Sequence, residues 1–181
     1  MFARTQRLTL RPGWPEDAAA LTQAIGHEAV ARMLTNVPFP YDEAAAAAFL
    51  ASPRAAHEPR FQIVCHDGDA PALIGGIGIT LHEHGPELGY WLTPSAWGRG
   101  YATEAGRAVV DMARHALPLE RLGAWHYADN PASGRVLRKL GFRPTGRTTT
   151  RRSPARTEPA ASVEYALDLS EDDRSPMPIA A

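Results

Sequence analysis

The sequence predicts a layered α/β or α+β domain with helices on both faces of a sheet. Segments in which apolar and polar residues alternate, as in half-buried strands, are separated by segments with a period near 3.6 residues, as in amphipathic helices. Their order is one strand, helices, three strands, a helix, a strand, a helix and two strands, about seven strands in all. The chain has 181 residues, of which 44% are hydrophobic and 22% charged, the composition of an ordinary soluble protein.

Residues 1–169 are expected to form one domain that begins with a strand and several helices. Apolar and polar side chains alternate over residues 5–11, and Pro12 ends this strand. Helices are expected near residues 16–25, 28–34 and 42–51, the last with Asp42 as its N-cap. Alternating segments then predict strands at 61–65, 73–81 and 87–92, and Asp67-Gly68-Asp69 between the first two is typical of a hairpin turn.

The C-terminal half contains the most regular helical pattern of the chain. Small and apolar residues recur every three or four positions from Ala102 to Ala116, the stripe of an amphipathic helix. A strand is expected near 122–126, and Asn130-Pro131 starts a second helix that ends at Gly141. Strands at 142–150 and 163–169 complete the domain. Residues 170–181, acidic and proline-containing, are expected to be a disordered tail.

Composition excludes several classes of protein. The net charge of −1 argues against a nucleic-acid partner, for which a strongly basic domain is expected. Cys65 is the single cysteine, so an intrachain disulfide and an all-cysteine metal site are excluded, and no metal is expected. The longest apolar stretch, residues 44–51, is far shorter than the roughly 20 residues that cross a bilayer. The N-terminus lacks the apolar region of a secretory signal, and a soluble cytoplasmic protein with no membrane partner is expected.

The strongest chemical motif is Trp97-Gly98-Arg99-Gly100-Tyr101-Ala102-Thr103, which follows the strand ending at Leu92 and opens the helix of the apolar stripe. Its glycines permit unusual backbone dihedral angles, and the unpaired N–H groups of a helix N-terminus favour an anion such as a pyrophosphate. A tight strand–helix turn without a ligand is the alternative. The loop lacks the Gly-Lys-Ser/Thr of P-loop NTPases, and the acidic residue that a dinucleotide-binding fold places at a strand end is missing.

Together with two later motifs, this loop resembles the GNAT N-acetyltransferases. The later motifs are Asn130-Pro131-x-Ser133 and Lys139-Leu140-Gly141-Phe142. Within the family the chain is most similar to the ribosomal-protein N-terminal acetyltransferases, the RimJ/RimL-like branch. The segments that carry this similarity are Arg7–Pro12, Glu87–Leu92 and Gly100–Ala105. The resemblance implies the GNAT fold, with a mixed and mostly antiparallel sheet.

The resemblance also implies acetyl-CoA as the acetyl donor, with its pyrophosphate on the backbone amides of the glycine loop. It implies that the strand 87–92 splays from its neighbour, which leaves backbone groups for the pantetheine and an N–H near Leu92 for the thioester carbonyl. The residues assigned to acetyl-CoA are Leu92, Thr93, Trp97, Gly98, Arg99, Gly100, Tyr101, Ala102, Thr103 and Asn130. Trp97 stands where the family commonly has Gln or Arg, and a plain N-cap is a compatible second interpretation of Asn130.

Acetyl transfer to an amine needs a base and an acid. Glu87 is the candidate base, directly or through water, because it heads the strand beside the thioester; an exposed strand-end carboxylate is the alternative. Many relatives have a tyrosine at the position of Leu137, which cannot donate a proton. Ser133 is therefore assigned to hydrogen-bond the sulfur, against the alternative of a serine that bonds a backbone group. Tyr101 and Tyr127 are reserve donors.

The expected acceptor is a primary amine, preferably the α-amine of a protein or peptide, and transfer is expected to be direct. The neutral fraction of an α-amine at pH 7 exceeds that of a lysine by roughly 400-fold. A small-molecule amine acetyltransferase and a catalytically silent acyl-CoA sensor are the alternatives. Residues 26–41 and 151–160 are expected to border the acceptor, and five arginines between residues 143 and 156 form a solvated hairpin or an anion-attracting patch. The sequence leaves open whether the protein forms a homodimer.

Overall fold

The computed structural model describes residues 2–53, 55 and 57–170, which form an eight-stranded sheet with helices on both faces. The strands are β1 (Ala3–Arg4), β2 (Leu8–Arg11), β3 (Arg60–Cys65), β4 (Ala72–His82), β5 (Gly85–Leu92), β6 (Arg121–Tyr127), β7 (Arg143–Arg151) and β8 (Ala160–Asp168). The helices are α1 (Ala18–Ile25), α2 (Glu28–Ala31), α3 (Glu43–Ala51), α4 (Tyr101–Ala116) and α5 (Pro131–Lys139). The predicted layered fold is confirmed.

The strands are ordered β1-β2-β3-β4-β5-β6-β8-β7 across the sheet. All neighbours are antiparallel except β5 and β6, which are parallel because α4 forms the crossover between them. The sheet is therefore mixed and mostly antiparallel, as expected. A crossover of this kind places the end of β5, the start of α4 and the end of β6 at the same edge of the sheet.

Two apolar clusters cover the two faces of the sheet. Helices α4 and α5 pack on one face, where Val109 and Leu137 are fully buried against strand residues such as Ile63. Helices α1, α2 and α3 form the smaller cluster around Leu21 and Leu50 on the other face. Within the described residues, none of the helices has both the length and the hydrophobicity that a bilayer crossing requires.

The local signals for helix ends were correct at three positions. The carboxylate of Asp42 accepts a hydrogen bond from the N–H of Ala45 at 2.8 Å, and Asn130 accepts one from the N–H of Ser133 at 3.3 Å. Gly141 has a φ of +91°, the left-handed conformation of a C-terminal cap. The predicted tail, residues 170–181, lies outside the described residues except for Ser170.

The predicted strand at residues 5–11 is too long. The N–H of Thr5 bonds the carbonyl of Leu8 at 2.9 Å, so residues 5–7 form a turn, and the chain before it returns as β1 alongside β2. This turn adds the eighth strand. The helix expected over residues 28–34 is also shorter, since α2 ends at Ala31.

An ion pair joins β2 to the start of α1. Both guanidinium nitrogens of Arg11 lie 2.7 Å from the carboxylate oxygens of Asp17, which also accepts the N–H of Trp14 at 2.8 Å. The hydrogen bonds from Arg11, which outweigh the opposing effect of burial, hold the pKa of Asp17 below its usual value. The pair fixes the first turn of the helical layer against the sheet.

We expect Asp17→Asn to lower the free energy of unfolding by about 2 kcal/mol, because an amide cannot balance the buried charge of Arg11. Since the folded pKa of Asp17 is lowered, its contribution is present above the pKa of the unfolded chain and is lost as the pH falls through the folded pKa. Urea unfolding at neutral and acidic pH measures both effects. Asp42→Asn is the control, since Asn is an equally good N-cap; an equal loss in both variants would contradict the prediction.

Candidate active site

The two central strands diverge from one another along their length. Among the described residues, β5 and β6 pair at a single position, Glu87 opposite Gly123. Beyond this pair β5 continues to Leu92 and β6 to Tyr127. The splay that the resemblance implied is therefore present, and it opens toward the edge of the sheet where α4 begins.

The inner edge of β5 presents backbone groups to this opening. The N–H of Thr93 bonds Ile74 on β4 at 2.8 Å, and alternate residues of an antiparallel strand direct their backbone groups to opposite sides. Leu92 and Tyr90 therefore direct theirs toward β6. The carbonyl of Leu92 accepts the indole N–H of Trp97 at 2.8 Å, which leaves the N–H of Leu92 and both groups of Tyr90 facing the opening.

The glycine loop connects this edge to α4. Gly98 and Gly100 have φ values of +75° and +83°, in the left-handed region that favours glycine. Gly100 is the N-cap of α4, and no side chain of the described residues caps that end of the helix. The N–H groups of Tyr101, Ala102 and Thr103 precede the first intrahelical bond, from Glu104 to Gly100, and carry the positive end of the helix dipole.

Arg7 and Glu104, which the sequence analysis did not assign to the site, hold this loop in place. The Glu104 carboxylate accepts the side chain and backbone N–H of Arg7 at 2.7 and 2.8 Å, and the hydroxyl of Thr5 at 2.6 Å. Burial would raise the pKa of Glu104, but the hydrogen bonds from Thr5 and Arg7 lower it overall. Arg7 also donates to the carbonyl of Arg99 at 3.1 Å, so the loop is braced from the β1–β2 turn.

Glu87 lies at the closed end of the splay and is not a freely exposed carboxylate. Its side chain is 18% exposed, and its Oε1 accepts the indole N–H of Trp125 on β6 at 2.7 Å. The imidazoles of His82 and His84, stacked with centroids 5.2 Å apart, lie 3.9 and 3.7 Å from the carboxylate. Trp125 orients one carboxylate oxygen across the two strands, and the second remains available as a proton acceptor.

Tyr90 and Ser133 meet across the opening, a contact that sequence reasoning missed. The Tyr90 hydroxyl lies 2.7 Å from Ser133 Oγ and donates to the Ser133 carbonyl at 3.1 Å. Burial, opposed only in part by the hydrogen bond with Ser133, raises the pKa of Tyr90 to about 12. Both hydroxyls therefore remain protonated at neutral pH, one on each wall of the splay.

The reserve donors named from the sequence lie at the start of α4 (Tyr101) and at the end of β6 (Tyr127). The Tyr101 hydroxyl donates to Asp67 in the β3–β4 hairpin at 2.8 Å, and the buried Tyr127 hydroxyl has no hydrogen-bond partner among the described residues.

Cys65 is at the end of β3, two strands away from the splay. Asn130 caps α5 beside the opening. Within the described chain, no three His, Cys, Asp or Glu side chains are arranged to hold a metal ion.

The five arginines of the last hairpin divide into two groups. The side chains of β7 are exposed from Arg143 to Thr150, as in a solvated hairpin, and Arg152 is exposed as well. Arg151 instead lies 3.6 Å from Glu164, and Arg156 lies 2.9 Å from Asp129, whose pKa it lowers. Arg156 also donates to the carbonyl of Arg32, and Ser153 to that of Ala31. These bonds bring residues 151–160 against the chain around α2.

Comparisons with known proteins agree with this geometry. A family model described as an acetyltransferase (GNAT) domain matches residues 7–143. The uncharacterized N-acetyltransferase p20 of Bacillus licheniformis is 30% identical over 147 residues, 78% of this chain and 82% of p20. The uncharacterized N-acetyltransferase YoaA of Bacillus subtilis is 40% identical over 81 residues, which span 43% of this chain and 46% of YoaA. The structure of RimL, a ribosomal L7/L12 alpha-N-protein acetyltransferase in complex with coenzyme A, superposes with a TM-score of 0.77 at 17% identity, covering 95% of this chain and 100% of that one.

Proposed function

Because the chain belongs to the GNAT acetyltransferase family, we propose that it transfers the acetyl group of acetyl-CoA directly to a primary amine. The observation that carries the proposal is the uncapped N-terminus of α4, which follows the free inner edge of β5. A diphosphate suits the helix end, and the amides of pantetheine suit the strand edge. Acetyl-CoA contains these two groups in that order, with its thioester farthest from the diphosphate.

Acetyl-CoA supplies an acetyl group that is activated as a thioester. Taken in order of distance from the glycine loop, the N–H groups of Leu92 and Tyr90 bind the pantetheine and the thioester carbonyl, on which negative charge develops as the amine attacks. The first-turn amides after Gly100 bind the diphosphate. The side-chain amide of Asn130 contacts the donor from the opposite wall, and Arg99, exposed on the loop, adds positive charge near the phosphates.

Glu87 accepts the proton that the amine loses as its nitrogen bonds the carbonyl carbon. Glu87 is three residues before Tyr90 on β5, about 10 Å along the extended strand, so it takes the proton directly or through water. The bond from Trp125 holds one carboxylate oxygen and leaves Oε2 to take the proton. His82 and His84 border the carboxylate on the side away from β6 and lie beside the path of the acceptor.

Ser133 and Tyr90 donate a proton to the sulfur as the carbon–sulfur bond breaks. Sulfur is a good leaving atom, since a thiol has a reference pKa near 8.5, so a hydroxyl pair suffices as the acid. Either hydroxyl can donate to the sulfur. Because the two oxygens are 2.7 Å apart, the hydroxyl that gives up its proton can take the proton of the other. The pair thus supplies the acid that Leu137 cannot.

The α-amine of a protein or peptide is the acceptor that we propose, as in the RimJ/RimL-like branch. The similarity of the fold to RimL and the branch motifs at Glu87–Leu92 and Gly100–Ala105 support it. An α-amine is partly neutral at pH 7, so it needs less from a general base than a lysine side chain does.

An acetylation screen tests the proposed function. N-terminal peptides, polyamines and free amino acids are incubated with the protein and acetyl-CoA, and products are identified by mass. We expect acetylation at the α-amine of peptides and saturable binding of acetyl-CoA by calorimetry. Turnover with polyamines alone would reassign the acceptor to small molecules. Binding without turnover on any amine would favour an acyl-CoA sensor.

We expect Gly98→Ala and Gly100→Ala each to weaken acetyl-CoA binding by about tenfold. A side chain at these positive φ values costs about 1–2 kcal/mol, and the loop relieves that strain by turning its amides away from the diphosphate. The Michaelis constant for acetyl-CoA measures the effect. Gly68→Ala is the matched control, since its Cβ would meet only Ala70 O, at 3.8 Å, and its φ is not positive. Equal affinity in all three variants would contradict the role of the loop.

A further inference from the structure

A second cleft lies between α4 and the C-terminal end of α5. Its volume is about 310 Å³, and its lining includes four basic side chains, Arg107, Arg114, Arg138 and Lys139. We propose that this cleft is a binding site for a small phosphate monoester, separate from the acetyl-CoA site.

The location of the cleft sets it apart from the active site. Both helices begin at the edge of the sheet where the splay opens, whereas Arg114, Arg138 and Lys139 lie in their last turns. Arg114 is thirteen residues beyond Tyr101, about 20 Å along the helix axis. A diphosphate on the glycine loop is therefore about 20 Å from the Arg114 end of this cleft.

The packing of the two helices forms the floor of the cleft. Gly106 on α4 allows the side chain of Leu140 to approach closely, since a Cβ at Gly106 would lie within 3 Å of its methyl groups. Val110 lies one turn further along α4. It is buried, as is Leu140 at the end of α5, and both line the base of the cleft. The basic side chains surround this apolar base, an arrangement that suits a ligand with a carbon skeleton and one charged group.

Among the described residues, the cleft lining has four basic side chains and one acidic side chain. Its one acidic side chain, Asp111, lies 3.3 Å from His115 Nδ1. Arg138 donates to the neutral hydroxyl of Tyr165 at 3.3 Å. The Nε of Arg114 is buried and has no hydrogen-bond partner within the described residues. By contrast, Arg7, Arg11 and Arg156 each lie within 3 Å of a carboxylate oxygen.

Stabilisation of the helix ends does not account for this cluster. Basic residues in the last turn of a helix offset its negative dipole, and that explanation covers Arg114, Arg138 and Lys139. Arg107 lies in the first half of α4, outside the last turn. The Nε of Arg114 is buried, so a ligand in the cleft would contact the remainder of this partly exposed side chain and the exposed Arg107. Arginine binds phosphate through its guanidinium N–H donors.

Calorimetry on the full-length protein with saturating coenzyme A tests the proposal, because coenzyme A blocks the glycine loop. The probes are ribose 5-phosphate and inorganic phosphate. We expect ribose 5-phosphate to bind, and Arg114→Met to weaken it by about tenfold, the effect of one charged hydrogen bond. Arg107→Gln and Lys139→Gln, at exposed positions where folding is not at risk, are expected to weaken it by about fivefold each.

Arg135→Gln is the matched control, since it removes the same charge from an exposed position of α5 outside the cleft lining. It is expected to leave the affinity unchanged. Equal affinity for inorganic phosphate would identify free phosphate as the ligand of the same site. Absence of binding at millimolar concentration, or an equal loss in Arg135→Gln and the cleft variants, would overturn the proposal. If a single-stranded RNA bound more tightly than ribose 5-phosphate, with a salt dependence that corresponds to several phosphate contacts, the cleft would be assigned to nucleic-acid binding instead.

Discussion

Glu87→Gln is expected to reduce kcat at pH 7 by about a hundredfold or more, while the affinity for acetyl-CoA changes by less than about twofold. Glutamine keeps the size of the side chain and can still accept the Trp125 indole N–H, but it cannot take a proton from the amine. General-base catalysis is worth about 10²–10⁴ in rate, which sets the expected loss. The measurement is steady-state turnover of an N-terminal peptide, together with calorimetry for acetyl-CoA.

The pH dependence separates a lost base from a damaged site. As the pH rises toward the reference pKa of an α-amine, about 7.8, the neutral fraction of the substrate increases and the variant needs less help. We therefore expect the difference in kcat between wild type and Glu87→Gln to become smaller as the pH rises. Glu83→Gln, the same substitution at an exposed position in the preceding turn, is expected to retain full activity. The same ratio of kcat values at every pH would argue that Glu87 only positions the strands.

Local sequence signals were sufficient for the elements that we propose to bind the donor. A Gly-x-Gly turn before an amphipathic stripe predicts a helix N-terminus, and in the structure both glycines have positive φ. Asn130-Pro131 and Gly141 predict the ends of α5 within two residues for the same reason. These signals depend on the backbone geometry of a few consecutive residues, so one sequence contains all the necessary information.

Contacts between distant segments could not be predicted in the same way. Tyr90 and Ser133 are 43 residues apart, and Arg7 and Glu104 are 97 apart, so no local pattern pairs them. A tyrosine on the alternating face of a strand looks like a core residue until the neighbouring strand is seen to diverge. Arg151 and Arg156 were likewise read with the exposed arginines beside them, because the carboxylates that pair with them come from other parts of the chain.

Tyr90→Phe is expected to lower kcat with acetyl-CoA by about tenfold to a hundredfold. The substitution removes the hydroxyl that is 2.7 Å from Ser133 Oγ and leaves the ring in place. The expected loss lies at the low end of acid catalysis, since a thiolate with a reference pKa near 8.5 leaves with little help. Ser133→Ala is expected to act through the same step, so the double variant should lose little more than either single one.

A change of leaving group distinguishes proton donation from packing. 4-Nitrophenyl acetate releases a phenolate that needs no proton, so wild type and Tyr90→Phe should acetylate an amine from it at equal rates. A loss of rate with both donors would assign Tyr90 to packing of the splay.

Alkaline unfolding gives a second readout that does not depend on activity. The pKa of Tyr90 is about 12 in the folded protein against about 10 for a free phenol, so the folded state holds this proton more tightly. The resulting stability is present below pH 10 and is lost as the pH rises through 12, a difference of about 2–3 kcal/mol. In Tyr90→Phe, the free energy of unfolding in urea should fall less steeply as the pH rises above 10. An unchanged alkaline slope would mean that the Tyr90 hydroxyl is open to water and is not buried against Ser133.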